Sequence, residues 1–178
     1  MTIFLLRHAS PNLNRRDIPY DILPGPELPP KGESEASALA EFLKLEGLMK
    51  LYYSPFERSA RTARIVAALN GIPAIEETGL AEWRFAAEPE AQVRARIRSV
   101  FERAAKESAH VGPIGLVSHG GPIALLLLEL GMDEKKLAPY RTRFDTTNPL
   151  PPGGAWKVEQ DSGSEGWNLQ LVFTPDVS

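Results

Sequence analysis

Short apolar runs, each ended by charge or by a turn, recur along the chain with helix-forming stretches between them. Residues 2–6 (TIFLL) and 113–118 (PIGLVS) read as strands buried on both faces, and 49–53 (MKLYY) reads as another. A further short strand is expected at 73–76. Ala36, Leu39, Ala40 and Leu43 recur at helical spacing, which predicts an amphipathic helix over 31–46. Ser54-Pro55 suits the start of a second helix, with proline in its first turn, and Asn70-Gly71 stops it. Helices are also expected over 90–109 and 122–130, the latter after a tight turn at His119-Gly120-Gly121-Pro122. Residues 22–30 (ILPGPELPP) carry too much proline for regular structure and read as a loop. Residues 155–160 and 167–173 read as two strands around a Gly/Ser-rich turn. This alternation predicts an α/β fold: a three-layer α/β/α sandwich with a mostly parallel central sheet.

In such sheets, ligands bind beyond the carboxyl ends of the strands. His8 follows the first predicted strand, and His119 follows 113–118. Arg58 lies in the first turn of the helix after 49–53. These residue types suit phosphoryl transfer. A neutral imidazole is a nucleophile near neutral pH. Arginine grips phosphate oxygens in a bidentate fork. A diglycine turn before a helix lets backbone N–H groups approach an anion. A leaving alkoxide also needs a proton, which calls for a carboxylic acid nearby.

Other features bound the chemistry. No cysteine is present, which excludes disulfides, thiolate catalysis and cysteine-ligated metals. A net charge of −3 provides no basic field for nucleic acid or an anionic membrane. MTIFLLRH lacks a basic segment before its apolar run, so neither a signal peptide nor a membrane span is expected, and the cytoplasm is the default location. His110 ends a predicted helix and reads as solvated. Arg94, Arg96 and Arg98 alternate around the same helix and read as a solvated face, although Arg94 and Arg98 share a side that suits an anionic substrate. Trp83 and Phe85 read either as packing for their loop or as the wall of a site for a planar substrate.

Together these segments resemble the histidine phosphatase superfamily, the phosphoglycerate-mutase-like fold. LLRHAS at 5–10 looks like the family strand ending in Arg-His-Gly. YSPFERSARTA at 53–63 is similar to its Ser-Pro-x-x-Arg-Ala-x-x-Thr-Ala signature. GLAEWRF at 79–85 looks like its Leu-x-Glu segment, and LVSHGGPI at 116–123 is close to its Ser-His-Gly-Gly segment. All four occur in family order, and 28–43 resembles the stretch that opens the first helix. The resemblance covers 1–130 well and the tail loosely.

The resemblance implies one phosphoglycerate-mutase-like domain over 1–178. His8 would take the phosphoryl group, forming a phosphohistidine. Arg7, Arg58 and His119 would line the phosphate pocket with Asn14 and Gly120. Glu82 would protonate the leaving group and then activate water. The family chemistry needs no metal and no cofactor. The expected enzyme is thus a metal-independent phosphomonoesterase acting on a small phosphorylated substrate or a phosphoprotein, with the oligomeric state open. Three departures stand out. Ala9 replaces the usual glycine after the nucleophile, Arg61 stands where glutamine is common, and 83–88 lacks the Gly-x-x-Glu-Gly stretch. Glu77, Glu88 and Glu90 are therefore rival acids.

Four other readings compete. A phosphoprotein phosphatase, such as one acting on phosphohistidine, would need less help from Glu82. A phosphoglycerate-mutase-type phosphotransferase would need a deeper lid than residues 83–109 provide. A serine hydrolase would use Ser118 in LVSHG, but no histidine follows His119 to complete the usual order. A non-catalytic phospho-ligand binder would keep the same pocket without turnover.

Overall fold

The computed structural model describes residues 1–144, 148–160, 163 and 166–175. Its strands are β1 (Thr2–Arg7), β2 (Lys50–Tyr53), β3 (Ala74–Glu76), β4 (Ile114–Ser118), β5 (Ala155–Glu159) and β6 (Asn168–Phe173). Its α-helices are α1 (Pro30–Leu45), α2 (Glu57–Asn70), α3 (Glu90–Val111), α4 (Gly120–Glu129) and α5 (Glu134–Phe144), with a 3-10 turn at Thr78–Leu80. The six strands form one sheet in the order β3-β2-β4-β1-β5-β6. β1 to β4 run parallel, β5 runs antiparallel to β1, and β6 antiparallel to β5. This is the expected α/β fold with a mostly parallel sheet.

The pleat of β1 sorts its side chains between two layers. Ile3 and Leu5 pack with Ile97 and Phe101 of α3 and Ile123 and Leu127 of α4. Phe4 and Leu6 point the other way, into a core with Leu39 and Leu43 of α1 and Ala63 and Val66 of α2. A strand covered on both faces must be apolar throughout, which is why 2–6 reads as a continuous run and not an alternation. Burial continues through Arg7, His8 and Ala9, but at Arg7 and His8 the buried side chains become polar.

Several boundaries differ from expectation. α2 starts at Glu57, beyond Ser54-Pro55, because Ser54 is buried and its hydroxyl is turned to His119. His119-Gly120-Gly121-Pro122 is not a separate turn: α4 begins at Gly120, with His119 at its N-cap position. α5 has no counterpart in the expected elements. Its polar sequence contains Pro139 and buries only Leu137, so it carries little helical signal. The Gly/Ser-rich turn before β6 falls largely outside the described residues. No helix among the described residues is long and apolar enough to cross a membrane.

Phe4 is fully buried. Phe4→Ala is expected to lower unfolding stability by about 3–5 kcal/mol. The check is a lower urea midpoint at an unchanged m-value.

Candidate active site

The register of β1 and β4 builds the centre of the site. Arg7 lies opposite Ser118, so the next residues, His8 and His119, leave adjacent strands side by side. The His8 amide donates to the Ser118 carbonyl at 3.1 Å, and the two imidazole centroids stand 5.1 Å apart. β2 is the other neighbour of β4, and the helix after it delivers Arg58 to the same end.

His8 is fully buried, with Nδ1 2.8 Å from the Ala9 carbonyl. Only a protonated Nδ1 can make that bond, which leaves the lone pair on Nε2. Arg58 Nε donates to that Nε2 at 3.2 Å. Burial pushes the His8 pKa well below its ordinary 6.5, and the charges of His119, Arg58 and Arg7 act in the same direction. The Ala9 amide is held by Thr62 Oγ1 at 3.0 Å, and Ser10 is held through its amide and hydroxyl by Glu35. Among the described residues no non-glycine residue has a positive φ, so alanine in place of glycine at position 9 carries no backbone strain.

Arg58 is fully buried and its donors are spread over the whole cluster. Nη1 donates to the Tyr20 carbonyl at 2.9 Å, and Nη2 lies 3.2 Å from both Glu82 Oε2 and His119 Nδ1. The guanidinium carbon stands 4.0 Å from the Tyr20 ring centroid and 4.7 Å from that of Phe56. His119 is fixed on its other side by Ser54 Oγ, 2.7 Å from Nε2. Burial lowers the His119 pKa, while Glu82 acts against that shift. Burial opposes the charge on Glu82, but His119, Arg58 and the Trp83 amide outweigh it and hold the carboxyl at about 2.

A cavity of about 610 Å³ opens above this cluster. Its floor holds Arg7, His8, Glu82 and Gly120, while Trp83, Phe85, Ala124 and Leu125 form apolar walls. Arg58 and His119 lie just beneath the floor, where Glu82 covers them. Arg7 Nη1 is anchored on the Leu150 carbonyl at 2.9 Å. Gly120 opens α4 against Asn148: a Cβ at Gly120 would fall 1.4 Å from Asn148 Oδ1.

Of the residues expected in the site, His8, Arg7, Arg58, His119, Glu82 and Gly120 converge. Asn14 does not: it lies exposed on the loop after His8, bonded within that loop, and is not part of the cavity wall. Asn148, far away in sequence, reaches the cavity instead. The rival acids are engaged elsewhere: Glu77 with Arg103 and the Gly79 amide, Glu88 with Arg96, and Glu90 with Arg94. Ser118 donates to the Leu80 carbonyl at 2.8 Å and does not line the cavity, which removes the hydroxyl that a serine hydrolase would use. Arg94 and Arg98 both pair with Glu129, and Arg61 pairs with Glu33. His110 is exposed and bonded to the Lys106 carbonyl.

A model of the histidine phosphatase superfamily (branch 1) matches residues 3–88, the stretch that carries Arg7, His8, Arg58 and Glu82. Over that stretch, just under half of the chain, the sequence is of the histidine phosphatase superfamily. No curated protein matches it by sequence. Among solved structures it is similar to a mycobacterial glucosyl-3-phosphoglycerate phosphatase at 20% identity and a TM-score of 0.73, covering 98% of this chain and 99% of that one. A putative alpha-ribazole-5'-P phosphatase from Escherichia coli matches at 18% identity and a TM-score of 0.73, covering 100% and 98%. A phosphoglycerate mutase from Bacillus anthracis matches at 18% identity and a TM-score of 0.73, covering 97% and 92%. At these identities the likeness is one of fold, and it extends over β5 and β6 as well as the region the family model matches.

His8, Glu82 and His119 offer donor atoms within 4.8 Å of one another, a set that suits a divalent cation by type. Arg58 already donates to an atom of each. A metal ion would have to displace this buried guanidinium and bear its charge at close range.

The buried, Nδ1-protonated His8 has a direct spectroscopic signature. At pH 6.5, where an ordinary imidazole is half protonated, ¹⁵N NMR should show His8 as the neutral Nδ1–H tautomer. Because its folded pKa is lowered, this group removes stability as pH falls below 6.5, where the unfolded chain takes up the proton first.

Proposed function

We propose that this histidine phosphatase is a metal-independent phosphomonoesterase that hydrolyses small phosphorylated substrates through a phosphohistidine on His8, the whole chain acting as one domain. The observation that carries this reading is a neutral His8 with its lone pair on Nε2, where Arg58 donates to it, set among Arg7, Arg58 and His119 at a cavity floor. Phosphoryl transfer needs little covalent help from the protein beyond such positioning and charge.

The entering phosphate takes the place of the Glu82 carboxylate over Arg58 and His119. Arg7 and Arg58 then hold its oxygens, with the N-terminal amides of α4 behind Gly120 and Gly121. A phosphate dianion beside Glu82, and the loss of its contact with Arg58, raise the Glu82 pKa and let it hold a proton. His8 Nε2 attacks phosphorus as the ester P–O bond breaks, and the leaving oxygen takes the proton from Glu82. The Glu82 carboxylate next removes a proton from water, whose oxygen attacks phosphorus. The P–N bond breaks, releasing phosphate and restoring His8.

The cavity supports a small substrate over a phosphoprotein. It is several times larger than a phosphate, so it has room for the leaving group. Trp83 and Phe85 are stacked with centroids 3.9 Å apart, and Phe85 is 75% exposed. These rings favour a leaving group with a flat or apolar face. The structural relatives named for glucosyl-3-phosphoglycerate and alpha-ribazole-5'-P hydrolysis fit a small-molecule reading.

Hydrolysis of p-nitrophenyl phosphate with a chelator present tests the proposal. The wild type should turn over, and His8→Ala should lose activity by at least about four orders of magnitude. Acid quenching should trap an acid-labile, base-stable phosphoenzyme absent from His8→Ala. Loss of activity on chelation, or full activity in His8→Ala, would overturn the reading. Stable phosphohistidine with mutase turnover would replace water as acceptor. For aryl substrates, Trp83→Ala should raise KM by about fivefold to tenfold with kcat little changed, as loss of roughly 1 kcal/mol of stacking predicts.

A further inference from the structure

We propose that Arg96 is a positioning residue for Glu82, fixing the backbone from which the proton-donating carboxyl works. This rests on the role given to Glu82 above. Glu82 stands on a segment, 81–89, that belongs to no strand or α-helix. No backbone ladder holds it, yet its carboxyl must change partners during the reaction and return to a defined place.

One side chain supplies the missing anchorage. Arg96 Nη1 donates to the carbonyls of Gly79 and Ala81, each at 2.8 Å. Nη2 donates to the carbonyl of Glu82 itself at 3.3 Å. The same guanidinium forks onto Glu88, with Nε 2.7 Å from Oε1 and Nη2 3.0 Å from Oε2. It therefore ties both ends of the segment to α3. Trp83 closes the loop from inside, donating from Nε1 to the Glu88 carbonyl at 3.0 Å. The neighbouring arginines on α3 make no such contact: Arg94 and Arg98 use their donors on Glu90, Glu102 and Glu129.

The contact pattern separates the backbone of Glu82 from its carboxyl. Arg96 grips the carbonyl, and the carboxyl is left to Arg58, His119 and the Trp83 amide. A phosphate can then displace the carboxyl while the main chain stays in place. Lysine cannot replace this function, since an ammonium lacks the planar fork that spans three carbonyls and a carboxylate.

The test compares alcohol release from an alkyl phosphate and from p-nitrophenyl phosphate in single turnovers. Proton donation matters for the poor alkyl leaving group and little for nitrophenolate. Arg96→Ala and Arg96→Lys should slow alkyl release by about tenfold or more and nitrophenolate release by less than about threefold, because misplacing an acid costs rate only where the acid is used. In a Glu82→Gln background, Arg96→Ala should add no further loss for the alkyl substrate. Glu88→Gln weakens one end of the clamp without removing the guanidinium and should shift the same ratio in the same direction; it carries the test if Arg96→Ala fails to fold. Equal losses on both substrates, full additivity with Glu82→Gln, or unchanged rates would overturn the inference. Glu82→Gln alone reports separately on Glu82: if it shows no leaving-group dependence, the acid assignment fails and not merely its positioning.

Discussion

The buried guanidinium of Arg58 is the interaction on which the site depends. A charge with no exposed surface is tolerable only when it is paired and its donors are satisfied. Arg58 meets that demand with a carboxylate, a backbone carbonyl, two imidazoles and two aromatic rings. These partners come from β1, the loop before α1, the Ser-Pro approach to α2, the segment after the 3-10 turn, and the end of β4. One cation thus draws five parts of the chain to one point. It also adds to the chemistry: burial lowers the pKa of both imidazoles and the Arg58 charge acts in the same direction, while that charge joins His119 in keeping the Glu82 carboxylate ionised.

The sheet makes this convergence possible without strain. Parallel pairing of β1 with β4 and of β4 with β2 puts three strand exits at one edge, so short loops suffice to bring His8, His119 and Arg58 together. The two helical layers then act differently. α1 and α2 hold the nucleophile side, through Glu35 on Ser10 and Thr62 on Ala9. α3 on the opposite face holds the acid side through Arg96. The proposed nucleophile, His8, and the proposed acid, Glu82, are thereby built on separate supports across the sheet. This suits a reaction in which one group stays fixed and the other changes partners.

Much of this was legible in the chain. The charge-terminated apolar runs marked β1, β2 and β4, because strands buried on both faces leave few polar positions. The residues just beyond them converge in the candidate site, because exits are where polar groups can gather over a shared cavity. Where the signal was weak, the reason is physical. α5 is a polar helix interrupted by Pro139 that buries one leucine, so it shows little periodicity. Ser54 reads locally as a helix start but is claimed by His119, a partner 65 residues away. Asn14 stands at a plausible position in sequence, yet its loop turns outward. Asn148 fills space beside Gly120 from a region with no motif at all. Arg96 looks like the middle of three equivalent surface arginines, and nothing in the i, i+2, i+4 spacing marks it out.

By itself, the sequence determined the order of the strands and of every helix but α5, and marked His8, His119 and Arg58 as residues of a type suited to phosphoryl transfer, since both follow from local side-chain chemistry and short-range pattern. It also determined that thiol chemistry is absent, since no cysteine exists to perform it. Only the tertiary structure decided which carboxylate among Glu77, Glu82, Glu88 and Glu90 faces the cavity, and which arginine serves the site and which the surface. Those choices depend on where a side chain's charge finds its counter-charge once distant segments are packed together. A guanidinium or carboxylate has the same local pattern in either place; burial and the partners it meets there assign its work.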